Sequence, residues 1–333
     1  MKKFTKLSLV AALALSTSAF GATVSGTMTA YSLDEENTAA THDVALTLKV
    51  SEKLNDNISV NATIVSVEGF DTKHPIQNDG TLTTEANVVA TYANTTVKAG
   101  RQYIESPMFY SFDWKMKPIA YQATALINTD IANTTLVAVD AQRWTSDNTK
   151  MTFDALDGKN RAYGAVYSVD GYSAQAWYYD IEAYSTDYTQ TYLDATKSFG
   201  DIEVTAQYID TNAAADSQAY GIKVSTKVAG FDITVAAADV NDASGAYYVG
   251  GDSMVTSMWN SFAIEQGVGT SSMISASTEL AGVSITTAYA DYTDGFETNL
   301  ITEYAVSEKV GLTAVYTDTD TEHALEVMAT YSF

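Results

Sequence analysis

The sequence predicts an all-β fold, a single transmembrane antiparallel β-barrel of about eighteen strands with sixteen as the second choice. Three observations carry this. Strand-sized segments with period-two alternation recur from one end of the chain to the other. Their connections are by turns tight and long. No apolar run beyond the N-terminal segment reaches the roughly 18 residues that a membrane helix needs. The composition agrees, with 22 Tyr, only 3 Pro and no Cys. Packing and backbone pairing, not disulfides, must therefore hold the fold.

Taken in order, the elements begin with an export signal. Lys2, Lys3 and Lys6 form a basic start and residues 7–15 a short apolar run. Ala19, Phe20 and Gly21 then offer small residues where a signal peptidase needs them. The reading is a cleaved signal peptide over 1–21, with cleavage after Ala22 as second choice, and a barrel over 22–333.

The strands are expected at 23–32, 42–52, 57–67, 82–92, 95–104, 118–128, 133–143, 160–169 and 171–181, then at 187–198, 201–211, 217–228, 230–239, 271–280, 282–291, 295–306, 310–317 and 322–333. Val44, Leu46, Leu48 and Val50 alternate with Asp43, Ala45, Thr47 and Lys49, the pattern of a strand apolar on one face. Tyr220, Ile222 and Val224 against Gly221, Lys223 and Ser225 repeat it, as do Val283, Ile285 and Tyr289 against Ser284, Thr286 and Ala290. In the last strand Leu325, Val327, Ala329, Tyr331 and Phe333 share one face, and the closing Phe resembles the C-terminal signal of bacterial outer-membrane barrels. A soluble β-sandwich strand alternates in the same way, so the connections decide. Ala93-Asn94, Asp170-Gly171, Gly200-Asp201, Ala229-Gly230 and Ala281-Gly282 are hairpin turns. Between them run longer polar loops, including 68–81, 105–117, 145–159 and 240–270. Short turns at one end and long loops at the other suit an outer-membrane barrel, and an even strand number puts both termini on the periplasmic side.

Charge narrows the function. The formal charge of −23 becomes −26 once the leader removes Lys2, Lys3 and Lys6, which excludes nucleic acid as a partner. A barrel of about 16–18 strands leaves an aqueous lumen. The inward face reads as Thr, Ser, Asn, Gln, Ala and charged residues without large apolar plugs, so a water-filled pore is expected.

The stretch Thr96-Val97-Lys98-Ala99-Gly100-Arg101-Gln102, followed by Glu105-Ser106-Pro107-Met108, Lys117-Pro118 and Ile131-Ala132-Asn133-Thr134-Thr135-Leu136, resembles the OprD-type and "major outer membrane protein" porins of Gram-negative bacteria. The match covers about fifty residues. The resemblance implies eighteen strands, a third loop at 105–117 folded into the lumen, and a long seventh loop at 240–270 that assists it. The chain departs from the family in being short and in having only three Arg. The long arginine ladder of carboxylate-selective relatives is therefore not expected in full.

Eight of the fifteen basic residues of the mature chain, all three Arg among them, lie between residues 95 and 161. Lys98, Arg101, Lys115, Lys117, Arg143 and Arg161, with Glu105 and Asp113, are thus expected to line the constriction as a locally basic wall facing acidic strands. Lys150 and Lys159 read as solvated loop residues. Asp43, Glu203, Asp232, Glu279, Glu297, Glu303 and Glu326 are the lumen-facing acidic candidates, and with the net charge they predict cation preference. Strict alternation gives Arg101 the parity of Val97 and Ala99, toward lipid, at a cost of about 2–4 kcal/mol near the midplane. A bulge at Gly100 would turn it inward. Asp318, Asp320 and Glu322 alternate in the last loop, where a weak structural calcium site is conceivable beside the reading of a solvated acidic loop. No other cofactor is implied.

The expectation is a passive diffusion channel for ions and small hydrophilic solutes in the bacterial outer membrane. Its partners would be lipid and the barrel-assembly machinery acting through Phe333, with a homotrimer and a monomer both open as the assembly. An adhesin with a closed lumen is the alternative. An outer-membrane hydrolase is the weaker one, because no Cys, no Gly-x-Ser-x-Gly and no mid-strand His beside a Ser is present.

Overall fold

The computed structural model of the chain describes residues 22–36, 38–70, 78–112, 116–146, 149–182, 187–213, 216–241, 254–261 and 268–333. The expected signal peptide, Asp113, Lys115 and most of the seventh loop lie outside the described residues.

Alternating segments become strands wherever one face is apolar and the other polar. The first nine are β1 (Thr23–Glu35), β2 (Thr41–Lys53), β3 (Ile58–Gly69), β4 (Gly80–Tyr92), β5 (Thr95–Gln102), β6 (Tyr121–Asn128), β7 (Thr134–Trp144), β8 (Asn160–Val169) and β9 (Tyr172–Ile181). The second nine are β10 (Tyr188–Phe199), β11 (Ile202–Asn212), β12 (Ser217–Val228), β13 (Phe231–Asn241), β14 (Gly269–Leu280), β15 (Val283–Tyr292), β16 (Gly295–Ser307), β17 (Val310–Thr319) and β18 (His323–Ser332). Each pairs antiparallel with its chain neighbours, and β18 pairs back onto β1, so the sheet closes into a barrel. The seam is completed by Gly26 and Phe333, whose N–H groups donate to each other's carbonyls at 3.1 and 3.0 Å. All eighteen expected strands are present, their ends shifted by three residues or fewer. One piece was not foreseen: Asp154–Ala155 in the fourth loop pairs with Trp144 and Arg143 at the end of β7.

The tight turns sit at one end. Ala229 and Gly230 (φ 50° and 86°) and Ala281 and Gly282 (φ 52° and 81°) have the paired positive φ that a two-residue hairpin of matching twist demands. The outward rows carry exposed apolar and aromatic side chains such as Val97, Leu126, Tyr163, Tyr178, Ile222 and Leu300. In β18 Leu325 and Val327 face outward while Ala324 and Glu326 are buried inside. The polarity is that of a barrel in lipid, apolar outside.

Candidate functional site: the lumen and its inward loops

The inner wall differs from the expected purely polar lining. On the β6–β11 side it is aromatic and apolar, with Tyr121, Trp144, Trp177, Tyr179, Tyr188 and Tyr192 in one packed cluster. Trp177 and Tyr179 stack at 6.2 Å with planes 11° apart. Loop side chains cover these groups and explain their tolerance inside a wet barrel. Ile104, Met108 and Phe109 of the third loop join the cluster, and Phe109 meets Tyr121 edge-on at 4.9 Å. Met108 N–H donates to the Tyr179 hydroxyl at 3.3 Å, and the Tyr121 hydroxyl donates to the Tyr110 carbonyl at 3.0 Å. The end of the same loop places Met116 against Tyr31, Leu33, Val65 and Val67 of the β1–β3 wall. The described parts of the third loop thus pack on two parts of the inner wall, Ile104, Met108 and Phe109 on the aromatic side and Met116 on β1–β3.

The described part of the seventh loop, residues 254–261, lies along the opposite wall. Val255 N–H donates to Gln207 on β11 at 3.1 Å, Tyr292 on β15 donates to the Thr256 carbonyl at 2.8 Å, and Asn260 N–H donates to Glu297 on β16 at 2.9 Å. Trp259 Nε1 donates to Glu326 Oε1 on β18 at 2.7 Å, while the Tyr31 hydroxyl donates to Oε2. A network on the wall supports the near end of this strap. Trp177 donates to Gln175, Gln175 and Tyr192 both donate to Asp194 Oδ2, and Gln207 donates to Tyr192.

Register sorts the charges. The seven acidic candidates all lie on inward rows. Asp43, Glu297 and Glu326 are buried, the last two against the seventh loop, whereas Glu203, Asp232, Glu279 and Glu303 are exposed near the short-turn end. Asp232 pairs with Lys227 at 3.2 Å. Glu203, Glu279 and Glu303 have no ion pair among the described residues, and Ser284 separates Glu279 from Glu303 across three strands. Inward lysines on the strands are fewer: Lys49, Lys53, Lys98, Lys223 and Lys227.

Of the expected constriction residues, Lys98 is inward and pairs with Glu85 at 3.3 Å, a partner that sequence reasoning missed. Glu105 is exposed on the third loop, and Lys117 is fully buried with its ammonium donating to Thr145 Oγ1 at 3.3 Å. Asp113 and Lys115 fall outside the described residues. Arg161 and Arg143 depart from the expectation. Arg161 shares the outward parity of Tyr163 and pairs with Asp140 at 3.0 Å. At the end of β7 an extra residue, Gln142, shifts the register so that Arg143 pairs with Gln122 on the outward row, and Arg143 donates to the Phe153 carbonyl at 2.6 Å. The basic wall expected inside thus stands largely outside, on the long-loop rim.

Arg101 also keeps the outward register. Asn87–Gly100 and Ala86–Arg101 follow one another without a bulge. Gly100 is nonetheless irregular, at φ 122°, and a Cβ there would strike the Ala86 carbonyl. The Arg101 side chain is half-buried where β5 and β6 end early. Its Nη1 donates to the Thr83 carbonyl at 3.0 Å and its guanidinium lies 4.4 Å from the Phe153 ring. It joins the fourth loop to the wall. Nearby in the third loop, burial pushes the Tyr103 phenol up to about 12, so it remains a neutral donor to Thr84 at 2.7 Å.

Among the described residues no three acidic or histidine side chains come together as a metal site, Asp318, Asp320 and Glu322 included. Alternation on β17 sends Asp318 outward beside His323, away from the turn that presents the other two.

No protein-family model and no curated relative matches this sequence. Solved structures do match. Pseudomonas aeruginosa OccK8 (OprE) superposes with a TM-score of 0.80 at 14% identity, over 94% of this chain and 98% of that one. Acinetobacter baumannii OccAB3 does so at 0.78 and 11% identity, over 94% and 99%. A structure of Pseudomonas aeruginosa OpdK with vanillate does so at 0.78 and 13% identity, over 94% and 98%. At such identities the likeness is one of fold, and it agrees with the eighteen-stranded barrel implied by the sequence resemblance.

Proposed function

We propose that this eighteen-stranded barrel is an outer-membrane diffusion channel for ions and small hydrophilic solutes, with a preference for cations. Apolar outward rows support the membrane location, and two loops lying inside a wide barrel support a narrowed aqueous path rather than a filled core. The short-turn end, with both termini, faces the periplasm in this reading, and Phe333 at the seam is the group offered to the assembly machinery.

The observation that carries the cation preference is the set of inward carboxylates Glu203, Glu279 and Glu303, exposed to the lumen without ion pairs among the described residues. Rings of acidic side chains concentrate cations, and the low-dielectric wall strengthens their field. Vanillate, the molecule in the OpdK structure, is a carboxylate. Here Arg143 and Arg161 face outward, so the solutes proposed are cationic or neutral. Reversal potentials across planar bilayers in a KCl gradient test the reading. The wild-type potential should carry the cation sign and fall toward zero in the triple variant Glu203→Gln, Glu279→Gln, Glu303→Gln. An anion-selective wild-type channel would refute it.

A further inference from the structure

The nine methionines are unevenly placed. Met1 falls in the expected signal peptide. Met28 lies on the outward row of β1, 45% exposed, and is the single Met among the exposed large apolar side chains of the described residues. The other seven stand where the inward loops meet the wall. Met108 of the third loop and Met254 of the seventh are buried in the aromatic cluster, and Met258 of the seventh loop and Met273 of β14 pack against it. Met116 of the third loop is buried on the β1–β3 wall, and Met151 of the fourth loop and Met328 of β18 pack against that group. Each of the three loops thus docks through at least one thioether.

Thioethers suit such contacts because they are flexible and polarizable and fill irregular gaps. They also react. The chain has no Cys, which leaves methionine as its readily oxidised side chain. Exposure ranks the seven. Met151, Met258, Met273 and Met328 are half-buried, so an oxidant in the lumen reaches them, whereas Met108, Met116 and Met254 are buried. The step is an oxygen transfer from a peroxide. The sulfur lone pair attacks one peroxide oxygen, an S–O bond forms, the O–O bond breaks and water leaves. Sulfur loses two electrons and the peroxide gains them. The sulfoxide oxygen is a hydrogen-bond acceptor among apolar groups, and burying it without a donor is costly. Two backbone bonds adjoin these contacts and depend on the same docking. Met108 N–H donates to the Tyr179 hydroxyl at 3.3 Å, and Val255 N–H, next to Met254, donates to Gln207 at 3.1 Å.

We propose that these methionines are modification sites through which peroxides loosen the inward loops: their conversion to sulfoxide undocks the third and seventh loops from the wall and widens the aqueous path. The widening rests on the reading of the barrel as a channel, and undocking and widening are measured separately.

The test treats the refolded barrel in detergent with hydrogen peroxide and locates each added oxygen by peptide mass. Met151, Met258, Met273 and Met328 should be oxidised before Met108, Met116 and Met254. Amide hydrogen exchange then reads the docking. Exchange at Met108 and Val255 should become about tenfold faster, the effect of one buried polar group left without a partner. Methionine sulfoxide reductases with a thiol reductant should restore slow exchange in the same sample. The variant Met151→Leu, Met258→Leu, Met273→Leu, Met328→Leu conserves volume and should keep slow exchange at the dose that oxidises those four positions in the wild type. Unchanged exchange in an oxidised wild type, or equal acceleration in the leucine variant, would overturn the proposal. Conductance in planar bilayers separates the two readings. Faster exchange with a larger conductance supports both, and faster exchange at unaltered conductance would overturn the widening. Faster exchange in a barrel that conducts nothing would remove the channel reading and leave the undocking. A conducting barrel whose exchange ignores oxidation would do the reverse.

Discussion

Trp259, on the seventh loop, donates its indole N–H to Glu326, on the last strand, at 2.7 Å. The contact spans the barrel interior and ties a loop rooted between β13 and β14 to the wall beside β1. With Val255–Gln207 at the other end, it makes the described stretch of the loop a strap fixed at both ends. Trp259→Phe keeps a ring in place and removes the donor, leaving a buried carboxylate short of a partner at about 1–3 kcal/mol. The expected outcome is a larger single-channel conductance with more open-channel noise. Recordings matching the wild type in both respects would show that the strap does not bound the permeation path.

Gly26 and Phe333 close the sheet, and Gly26 is small because it must be. A Cβ there would come within 2.5 Å of Phe333 Cζ and 2.7 Å of the Thr47 carbonyl oxygen. Gly26→Ala should therefore destabilise the barrel by about 1–3 kcal/mol, the usual cost of overpacking. The readout is the temperature at which the folded band is lost on unheated gels. Adding Phe333→Ala should recover only part of the loss, because the Thr47 carbonyl is backbone and cannot yield. Full recovery would place the whole clash on the ring.

Outside the strands, Lys159 and Glu182 pair at 3.0 Å in neighbouring loops. The hydrogen bond from Lys159 holds the Glu182 carboxyl below the usual glutamate range, and the same bond raises Lys159. A depressed acid stabilises the folded loops above its ordinary pKa of about 4.3, and the contribution is lost as pH falls through the lower folded value. A raised lysine contributes below its ordinary value of about 10.4 and ceases to do so as pH climbs through the folded value. The pair thus acts across the neutral range and fails at both extremes. Carboxyl-carbon NMR should show Glu182 titrating at higher pH in Lys159→Met than in the wild type. Coincident curves would mean that the pair is not formed in solution.

The barrel was legible because period-two alternation and alternating turn lengths are local. Val44 to Val50 needs no distant residue to be recognised as a strand, and Ala229-Gly230 needs none to be recognised as a hairpin. The inward carboxylates followed from the same parity. The aromatic inner wall did not, because Trp177 and Tyr179 read as any aromatic strand residues until the third loop is seen to cover them. The arginines were misread for a related reason. The shift at Gln142 reverses parity without a glycine to announce it, whereas the bulge expected at Gly100 is absent. Trp259 carries a signal in the sequence: a large aromatic with Met254 and Met258 in a polar loop calls for an apolar surface to pack on.

Arg101 and Lys98 stand three residues apart on β5 and should behave differently. Arg101 lies on the outward row with its guanidinium against Phe153 and the Thr83 carbonyl, so its work is to hold the fourth loop on the low rim above β5 and β6. Arg101→Ala removes a cation–π contact and a charged hydrogen bond, together worth about 2–4 kcal/mol when half-buried. Reduced thermal stability is expected, with the reversal potential close to that of the wild type. Lys98 is inward, and Lys98→Met frees the Glu85 carboxylate into the lumen. That variant should become more cation-selective with little change in melting. The two phenotypes exchanged would place Arg101 in the permeation path, as would a selectivity shift in Arg101→Ala that exceeds the one in Lys98→Met.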